Sequence, residues 1–563
     1  MSLSSPAFLL GALLAGPLLC CCSAAALPPA GAASANDAAP TPEAVARQYL
    51  ALLPGWARGV GLHEYDGRIA DVSAAGIAQR ISTLREFEQV VARAAERASG
   101  ADEQLDWRIL AQVIAQDLFD LTEVESWRTR PMFYGELFSV DEYIVRDYAP
   151  KEQRAAALRD HLRAARQQLP SLRQNLRSPL SEPVLRTAVD VFKGYATYLR
   201  GDVQSFLDGV NDASVQAEAK ALAQELADAA RAFAAYLEQV ELPKADQSHV
   251  LGRSRFEHLL QAQEALTTPI EELLQKAESD QKRNQAAYEA LATQVKRSRP
   301  KASELLGAAR RVVDASRDFI SSHHIVGLPS EPNIEVRETP PFMRWNAAFL
   351  NGGGPFDRAD LRAYYYITLP DPSWPQKEQE EYVLSRGELV STSVHEVFPG
   401  HYLQALWQRN APTFVQKIAG SYSFAEGWAH YVEQMMVDEG FASDMAETRL
   451  GQLGDALLRD CRFIASIGIH VQGMSVDEAK RRFVEDCKQD EAGARQQAIR
   501  GTFDPGYFAY TLGKLQILEL REEAKRQLGE RFDLQRFHGA LLAHGAPPIP
   551  LIRERVLAEL AAP

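Results

Sequence analysis

The sequence predicts a mainly α-helical protein with one small β-sheet inserted before residue 390. The first observation is a 3.6-residue spacing of apolar side chains, typical of amphipathic helices, which dominates from Glu43 onwards. The second is a single interruption at about 325–385 that is rich in proline and glycine. Composition agrees with a large folded core, since 46% of the 563 residues are hydrophobic and 24% are charged.

Residues 1–26 are expected to form an export signal. The apolar run Ala7–Cys22 is shorter than the roughly twenty residues of a membrane-spanning helix, and Ala24–Ala26 offers a small-residue cleavage site. The cysteines Cys20–Cys22 leave a lipoprotein-type signal open, and an uncleaved tail is a further alternative. We therefore expect an exported protein that is periplasmic, lipid-anchored at the cell envelope or secreted. It would touch a membrane only through an N-terminal lipid.

Three parts follow the signal. Residues 27–42 are rich in Pro, Ala and Ser and predict a tether. Residues 43–330 predict an N-terminal helical region, and residues 331–563 a second region with the small sheet and further helices. Clear helical patterns lie at 76–98, 151–177, 214–240 with Ser214 as candidate N-cap, 256–296 and 301–322.

The interruption contains short β-type runs. Ile334–Arg337 and Ala363–Thr368 are rich in β-branched and aromatic residues, which favours strands. Helical patterns resume at about Gly387 and continue to the C-terminus. The sheet is therefore expected just ahead of the segment that carries the candidate chemistry.

Charge and cysteine content exclude several classes of protein. The formal net charge is −14 and no basic block appears, so nucleic acid is not an expected partner. Outside the apolar N-terminal run the chain has only Cys461 and Cys487, too few for a cysteine-rich zinc module or a disulfide framework. These two form either a disulfide or two buried thiols.

The segment SVHEVFPGHYLQ places His395 six residues before His401, with Glu396 directly after His395. In the His-Glu-x-x-His motif, two His one helical turn apart bind Zn²⁺, and the Glu faces the water. Six residues advance a regular helix by about 600°, which separates the two rings by about 120°. We expect a break at Pro399-Gly400 to return His401 to the metal. The alternative is a simple helix end, with His401 as a cap or surface residue.

A second segment, SFAEGWAHYVE, offers a third ligand. A carboxylate on a helix downstream of the His pair is the arrangement of His₂Glu zinc sites, and Glu426 fits it. His430 and Glu433 share its helix face and are expected to orient the ligands. The alternative is a capping box, in which Glu426 only bonds the main chain of Ser423.

A third segment, 503–529, predicts a helix entered through Asp-Pro-Gly and ended at Gly529. Four side chains lie within about 80° on its wheel: Tyr507, Tyr510, Lys514 and Arg521. Tyr510 suits an oxyanion beside zinc, and the other three suit substrate binding. The alternative is a solvated charged face above buried aromatics. His470 ends another helix and could donate to substrate, although a lone His is more often structural.

These segments resemble the bacterial domain-of-unknown-function 885 family, which belongs to the zincin-like metallopeptidases. The resemblance rests on HEVFPGHYLQ (395–404), AEGWAHYVE (425–433) and AYTLGKLQILELR (509–521), and covers about 45–560. It implies His395, His401 and Glu426 as zinc ligands, Glu396 as general base and Tyr510 near the site. It also implies a mostly helical fold around a cleft, and export or a lipid anchor.

Two positions depart from the family pattern. Tyr402 stands where the family usually has a second His, and Tyr507 follows Gly506 where the family often has Gln. Neither position is a proposed ligand, so both are expected to affect the substrate pocket.

The expected function is zinc-dependent hydrolysis of peptide bonds in short peptides, with one Zn²⁺ per chain. Glu396 would act as general base, and Tyr510, with His470 as a weaker candidate, would stabilise the oxyanion. A helical shell would narrow access and favour short peptides, and the strands would present an edge to an extended one. A zinc hydrolase of a non-peptide amide or ester, or a non-catalytic exported binding protein, remains an alternative. The sequence indicates no oligomeric state.

Overall fold

The computed structural model describes residues 40–340, 343–344 and 346–562. The expected export signal and nearly all of the expected tether lie outside these residues. Within these residues the chain is mainly helical and contains one three-stranded sheet. The prediction of a mainly helical protein with a small sheet is therefore confirmed. None of the described helices is both long and apolar enough to cross a membrane.

The region before residue 330 is built of helices, several of them joined by short 3₁₀ or π-helical turns. Its α-helices are α1 (Pro42–Ala51), α2 (Pro54–Gly59), α3 (Ala74–Ala95), α4 (Ala101–Phe119), α5 (Ser126–Thr129), α6 (Asp141–Val145), α7 (Lys151–Gln168), α8 (Ser171–Gln174), α9 (Glu182–Arg200), α10 (Asp202–Asp208), α11 (Ala213–Tyr236), α12 (Arg253–Glu264), α13 (Ile270–Ala292) and α14 (Ala302–Ser322).

The rest of the described chain carries the strands and a second set of helices. They are β1 (Ile334–Glu338), β2 (Ala348–Asn351), β3 (Ala363–Ile367), α15 (Gln376–Tyr382), α16 (Arg386–Glu396), α17 (His401–Arg409), α18 (Phe414–Ile418), α19 (Tyr422–Asp438), α20 (Ala446–Val471), α21 (Val476–Glu485), α22 (Glu491–Phe503), α23 (Ala509–Leu528), α24 (Leu534–Leu542) and α25 (Ile549–Ala561).

Several predicted helices have different bounds in the structure. The pattern at 256–296 is two helices, because Ala265 adopts the left-handed conformation with φ 52° and Pro269 precedes α13. The side chain of Asp212, rather than Ser214, caps α11 and accepts hydrogen bonds from the next turn. Helix α15 lies ahead of the predicted restart at Gly387; it has no buried residues and so no apolar period to reveal it.

The sheet has the order β1-β3-β2, with β1 parallel and β2 antiparallel to β3. Strands β1 and β3 match the two predicted runs, and every residue of the central strand β3 is buried. Strand β2 was not predicted, since its four residues are too short for a period of two to be visible. Strand β2 lies at the edge of this sheet, so β3 is its neighbour on one side and no strand of the sheet lies on the other.

The two predicted regions share one hydrophobic core, which includes residues from Val45 to Leu560. Helix α13 of the first region packs against α20 of the second, and α16 packs against both α19 and α20. Cys461 of α20 forms a disulfide with Cys487, which follows α21. The structure thus has the disulfide rather than the two thiols that the sequence left open.

Candidate metal centre

The turn between α16 and α17 brings His395 and His401 together. Helix α16 ends at Glu396 and α17 begins at His401, so the helix breaks at the predicted place. The two imidazole centroids are 4.7 Å apart. A Cβ at Gly400 would overlap the carbonyl oxygen of His395, so this tight turn requires glycine.

Helix α19 brings Glu426 to the same point. Its N-cap is Ser421, whose side chain accepts from Phe424 N–H at 3.1 Å, so the capping box centred on Ser423 is not formed. Oε2 of Glu426 instead lies 3.4 Å from Nε2 of His395 and 3.5 Å from Nε2 of His401.

This arrangement fits a zinc ion on three grounds. The three potential ligand atoms lie within 4.8 Å of one another. Zinc bonds of about 2.0–2.1 Å in tetrahedral geometry place neighbouring ligand atoms about 3.3 Å apart, close to the two distances from Glu426. Oε2 of Glu426 is buried and has no hydrogen-bond partner among the described residues. A buried carboxylate oxygen that faces two imidazole nitrogens is the donor set of a His₂Glu site.

A carboxylate holds the other side of His395. Nδ1 of His395 donates to Oε1 of Glu433 at 2.6 Å, which directs Nε2 towards Glu426. The guanidinium of Arg459 in α20 forms an ion pair with both carboxylate oxygens of Glu433, at 2.9 and 3.0 Å. His430 lies behind this pair, with Nδ1 3.3 Å from Oε2 of Glu433. Sequence reasoning missed Arg459, because a single arginine on an amphipathic helix carries no signal of its own.

The charges of the centre favour a bound cation. Burial lowers the pKa of His395, but contact with the carboxylates of Glu426 and Glu433 outweighs burial and raises that pKa to about 10. Burial raises the pKa of Glu426, yet the two imidazoles hold it well below its ordinary value. A cation here replaces a proton on His395, so metal binding is expected to release protons.

Glu396 is close enough to the centre for the charges of His395, His401 and Glu426 to act on its carboxyl group. Its Oε2 accepts from the N–H of Leu350 in β2 at 2.9 Å, which connects the sheet edge to the turn between α16 and α17. Burial raises the pKa of Glu396. The side chain of His401 is 21% exposed, so the centre can be reached from solvent.

A close helix crossing positions Tyr510. Helices α19 and α23 cross at Gly427 and Gly513, where a Cβ at Gly513 would overlap the carbonyl oxygen of Ser423. The crossing brings Tyr510 near Glu426: burial raises the pKa of Tyr510, and the charge of Glu426 raises it further. Glycine is unusual at the start of a helix, but Gly427 allows α19 and α23 to approach closely at this crossing.

Two predicted substrate residues on α23 are held elsewhere. Lys514 is fully buried in an ion pair with Asp280 of α13, and burial lowers its pKa to about 8. Arg521 pairs with Glu439 at 3.0 Å and donates to the hydroxyl of Tyr431 at 3.2 Å. Lys514 and Arg521 do lie on one side of α23, as predicted. That side packs against α13 and the end of α19 and does not line a substrate cavity.

The structure also gives Tyr507 and His470 structural surroundings. Tyr507 precedes α23 and is fully buried in the apolar cluster that contains the disulfide, and its hydroxyl has no hydrogen-bond partner among the described residues. Nε2 of His470 donates to Gly501 O at 2.7 Å, and Nδ1 accepts from Leu251 N–H at 3.4 Å. Both ring nitrogens are therefore engaged by main-chain groups.

Tyr402, one of the two departures from the family pattern, connects the centre to the sheet. Its hydroxyl accepts from the N–H of Asn333, just before β1, at 2.6 Å. An imidazole here would not reproduce this hydroxyl contact at the same position.

Comparison with known proteins agrees with the overall architecture. The family described as "Bacterial protein of unknown function (DUF885)" matches residues 54–556. A "putative lipoprotein of unknown function" from Shewanella oneidensis is 22% identical, with a TM-score of 0.75 over 92% of this chain and 98% of that chain. A "putative lipoprotein" from Colwellia psychrerythraea is 17% identical, with a TM-score of 0.69 over 92% of this chain and 99% of that chain. None of the curated proteins matches. Since the family match spans most of its length, the chain belongs to the DUF885 family of bacterial proteins of unknown function.

Proposed function

We propose that this protein is a zincin-like, zinc-dependent hydrolase that cleaves peptide bonds in short peptides. The observation that carries the proposal is the approach of three ligand atoms from His395, His401 and Glu426. Glu396 follows His395 in the chain, and the charges of all three residues act on its carboxyl group. One Zn²⁺ per chain satisfies this donor set. Zinc bound there would supply a Lewis acid that activates water and polarises a carbonyl group.

The chain's own groups then have defined roles. Glu396 accepts the proton of the attacking water and passes it to the leaving amine. Because Oε2 of Glu396 bonds Leu350 N–H, its other oxygen remains for the water. The hydroxyl of Tyr510 donates to the carbonyl oxygen as negative charge develops there. Glu433, held by Arg459, keeps the ring of His395 in place.

The open edge of β2 supports a peptide over another amide or an ester. Thr368 N–H donates to Ala347 O, so the alternation of antiparallel pairing turns the main-chain groups of Ala348 and Leu350 away from β3. The bond from Leu350 N–H to Glu396 is consistent with this direction. An extended peptide can therefore pair with Ala348 beside the candidate centre.

An exported location is part of the proposal. Two solved relatives of the same fold are described as putative lipoproteins, and the Cys461–Cys487 disulfide suits an oxidising compartment. We therefore place the protein outside the cytoplasm, periplasmic or lipid-anchored at the envelope.

The test separates metal binding from turnover. Glu396→Gln is expected to keep one zinc per chain, by elemental analysis, and to lose peptide hydrolysis by at least about 100-fold. His401→Ala is expected to lose the zinc as well. Glu439→Gln, an exposed carboxylate variant on the same part of the chain, should match wild type in both measurements.

Each alternative has its own signature in this experiment. Full activity of Glu396→Gln would refute the mechanism. Stoichiometric zinc with hydrolysis only of non-peptide amides or esters would refute the peptide assignment. Protein without zinc after mild purification and zinc addition would leave only a binding function.

A further inference from the structure

Three arginines lie near Tyr510, close enough for their charges to act on its hydroxyl group. Arg459 and Arg462 lie one turn apart on α20, and their guanidinium carbons are 5.6 and 4.8 Å from the Tyr510 centroid. Arg500 of α22 donates to Tyr422, whose ring lies 5.7 Å from that of Tyr510. The three arginines are buried, at 9%, 8% and 6% exposure respectively.

Among the described residues, two of these arginines have an acidic partner and Arg462 has none. Arg459 pairs with Glu433, and Arg500 pairs with Asp504 at 2.8 Å. Arg462 donates through Nε to the amide oxygen of Gln497 at 2.9 Å. Within the described part of the chain, its two terminal nitrogens make no hydrogen bond or ion pair, and protein atoms do not enclose them completely. They therefore face accessible space.

The terminal nitrogens of Arg462 are therefore available to bind an anionic group. Burial and the nearby charges of Arg500 and Arg459 lower the pKa of Arg462, so its surroundings carry an excess of positive charge. Nε is fixed by Gln497, which leaves the planar pair of terminal nitrogens that matches a carboxylate in bidentate fashion.

We propose that Arg462 binds the C-terminal carboxylate of the peptide substrate, so that the enzyme removes residues from the C-terminal end of short peptides. The inference rests on the proposed peptidase function and deepens it. Arg462 contacts the same tyrosine that serves the scissile carbonyl. An extended chain spans about 3.3–3.6 Å per residue, so the carboxylate belongs to a leaving group of one or two residues.

The surroundings of Arg462 favour a chain end over the middle of a chain. Gln497 of α22 and Tyr510 of α23 flank the guanidinium, and α20 carries it. Because side chains of α20, α22 and α23 meet at this buried position, we expect it to hold the end of a chain and not the middle of an extended one. An acidic side chain has the same chemistry as the terminal carboxylate, so the experiment must separate the two.

The test uses tri-, tetra- and pentapeptides, each made as free acid, as C-terminal amide, and as an amide that ends in Asp or Glu. Binding to zinc-loaded Glu396→Gln protein is measured by calorimetry, and products of the wild-type enzyme by mass spectrometry. Amidation is expected to weaken binding about 10- to 100-fold, and products should lack one or two C-terminal residues. Arg462→Gln should raise KM for free acids by a similar factor with little change in kcat.

Matched variants control for folding and charge. Arg462→Lys keeps the positive charge but lacks the pair of terminal guanidinium nitrogens. It should therefore recover only part of the affinity that Arg462→Gln loses. Arg449→Gln, on the same helix and paired with Asp438, should behave as wild type. The acid–amide comparison on the wild-type enzyme remains decisive if Arg462→Gln does not fold.

Equal binding and hydrolysis of acids and amides would overturn the inference and leave the peptidase proposal intact. Tight binding of the amides that end in Asp or Glu would assign Arg462 to side chains, and would also overturn it. Absence of hydrolysis of every peptide by the zinc-loaded wild-type enzyme would refute the proposed function itself.

Discussion

Replacement of Glu433 by glutamine should weaken zinc binding without contact between residue 433 and the metal. Glu433 accepts from Nδ1 of His395 at 2.6 Å, and is itself held by Arg459 at 2.9 and 3.0 Å. A charged hydrogen bond of this kind contributes about 1.5–3 kcal/mol, which corresponds to roughly 10- to 150-fold in affinity. Loss of an outer partner of a metal-binding His typically costs about 10- to 100-fold. We therefore expect zinc affinity to fall by about 10- to 100-fold.

The same substitution leaves the guanidinium of Arg459 buried with a weaker partner, so it should also destabilise the fold by about 3 kcal/mol or more. The double variant Glu433→Gln/Arg459→Gln removes that unpaired charge. It should recover part of the stability of the metal-free protein, whereas zinc affinity should stay low. This difference separates the effect on His395 from a general loss of structure.

Zinc affinity is measured by competition with a chromophoric chelator at constant pH, and stability by urea unfolding of the metal-free protein. Glu439→Gln is the control, because its exposed ion pair with Arg521 contributes at most about 1 kcal/mol. A folded Glu433→Gln protein that binds zinc as tightly as wild type would refute this role of Glu433.

Two further predictions concern stability. The Cys461–Cys487 disulfide closes a loop of 26 residues, so Cys461→Ser/Cys487→Ser should lose about 3–4 kcal/mol in urea unfolding; an unchanged midpoint would count against it. Burial raises the pKa of Glu264 from 4.5 to about 7 despite hydrogen bonds from Ser423 and Ser421. The stability that this group contributes is therefore greatest below about pH 4.5 and is lost as pH rises through about 7, by roughly 3 kcal/mol in all. Glu264→Gln should remove this loss, so its free energy of unfolding should rise relative to that of the wild type between pH 5 and pH 8. A difference that stays constant over this range would contradict the assignment.

Local patterns were sufficient for the fold class and for the candidate ligands. The apolar period of 3.6 predicted a mainly helical chain and several of its longer helices, and the β-branched and aromatic runs predicted β1 and β3. The residue types at Pro399-Gly400 predicted the break that the structure shows between α16 and α17. Strand β2, which is short, and helix α15, which has no buried residue, gave no usable pattern.

The interpretation of α23 shows the limit of such patterns. A helical wheel gives the angles between side chains on one helix, but it does not say which neighbour each face meets. Helix packing at Gly427 and Gly513 turned Tyr510 towards Glu426, while Lys514 met Asp280 on another helix. Two of the predicted substrate residues therefore have structural partners.

The sequence by itself determined a helical chain with a short sheet and the residues His395, Glu396, His401 and Glu426 as candidates for one centre. These features depend on periodicity and on spacing within short segments, which the sequence displays directly. Only the tertiary structure decided that Arg459 holds Glu433 against His395, and that Arg462 has no acidic partner in the part of the chain that the structure describes. Those properties depend on contacts between residues far apart in the chain, and packing of the helices decides them.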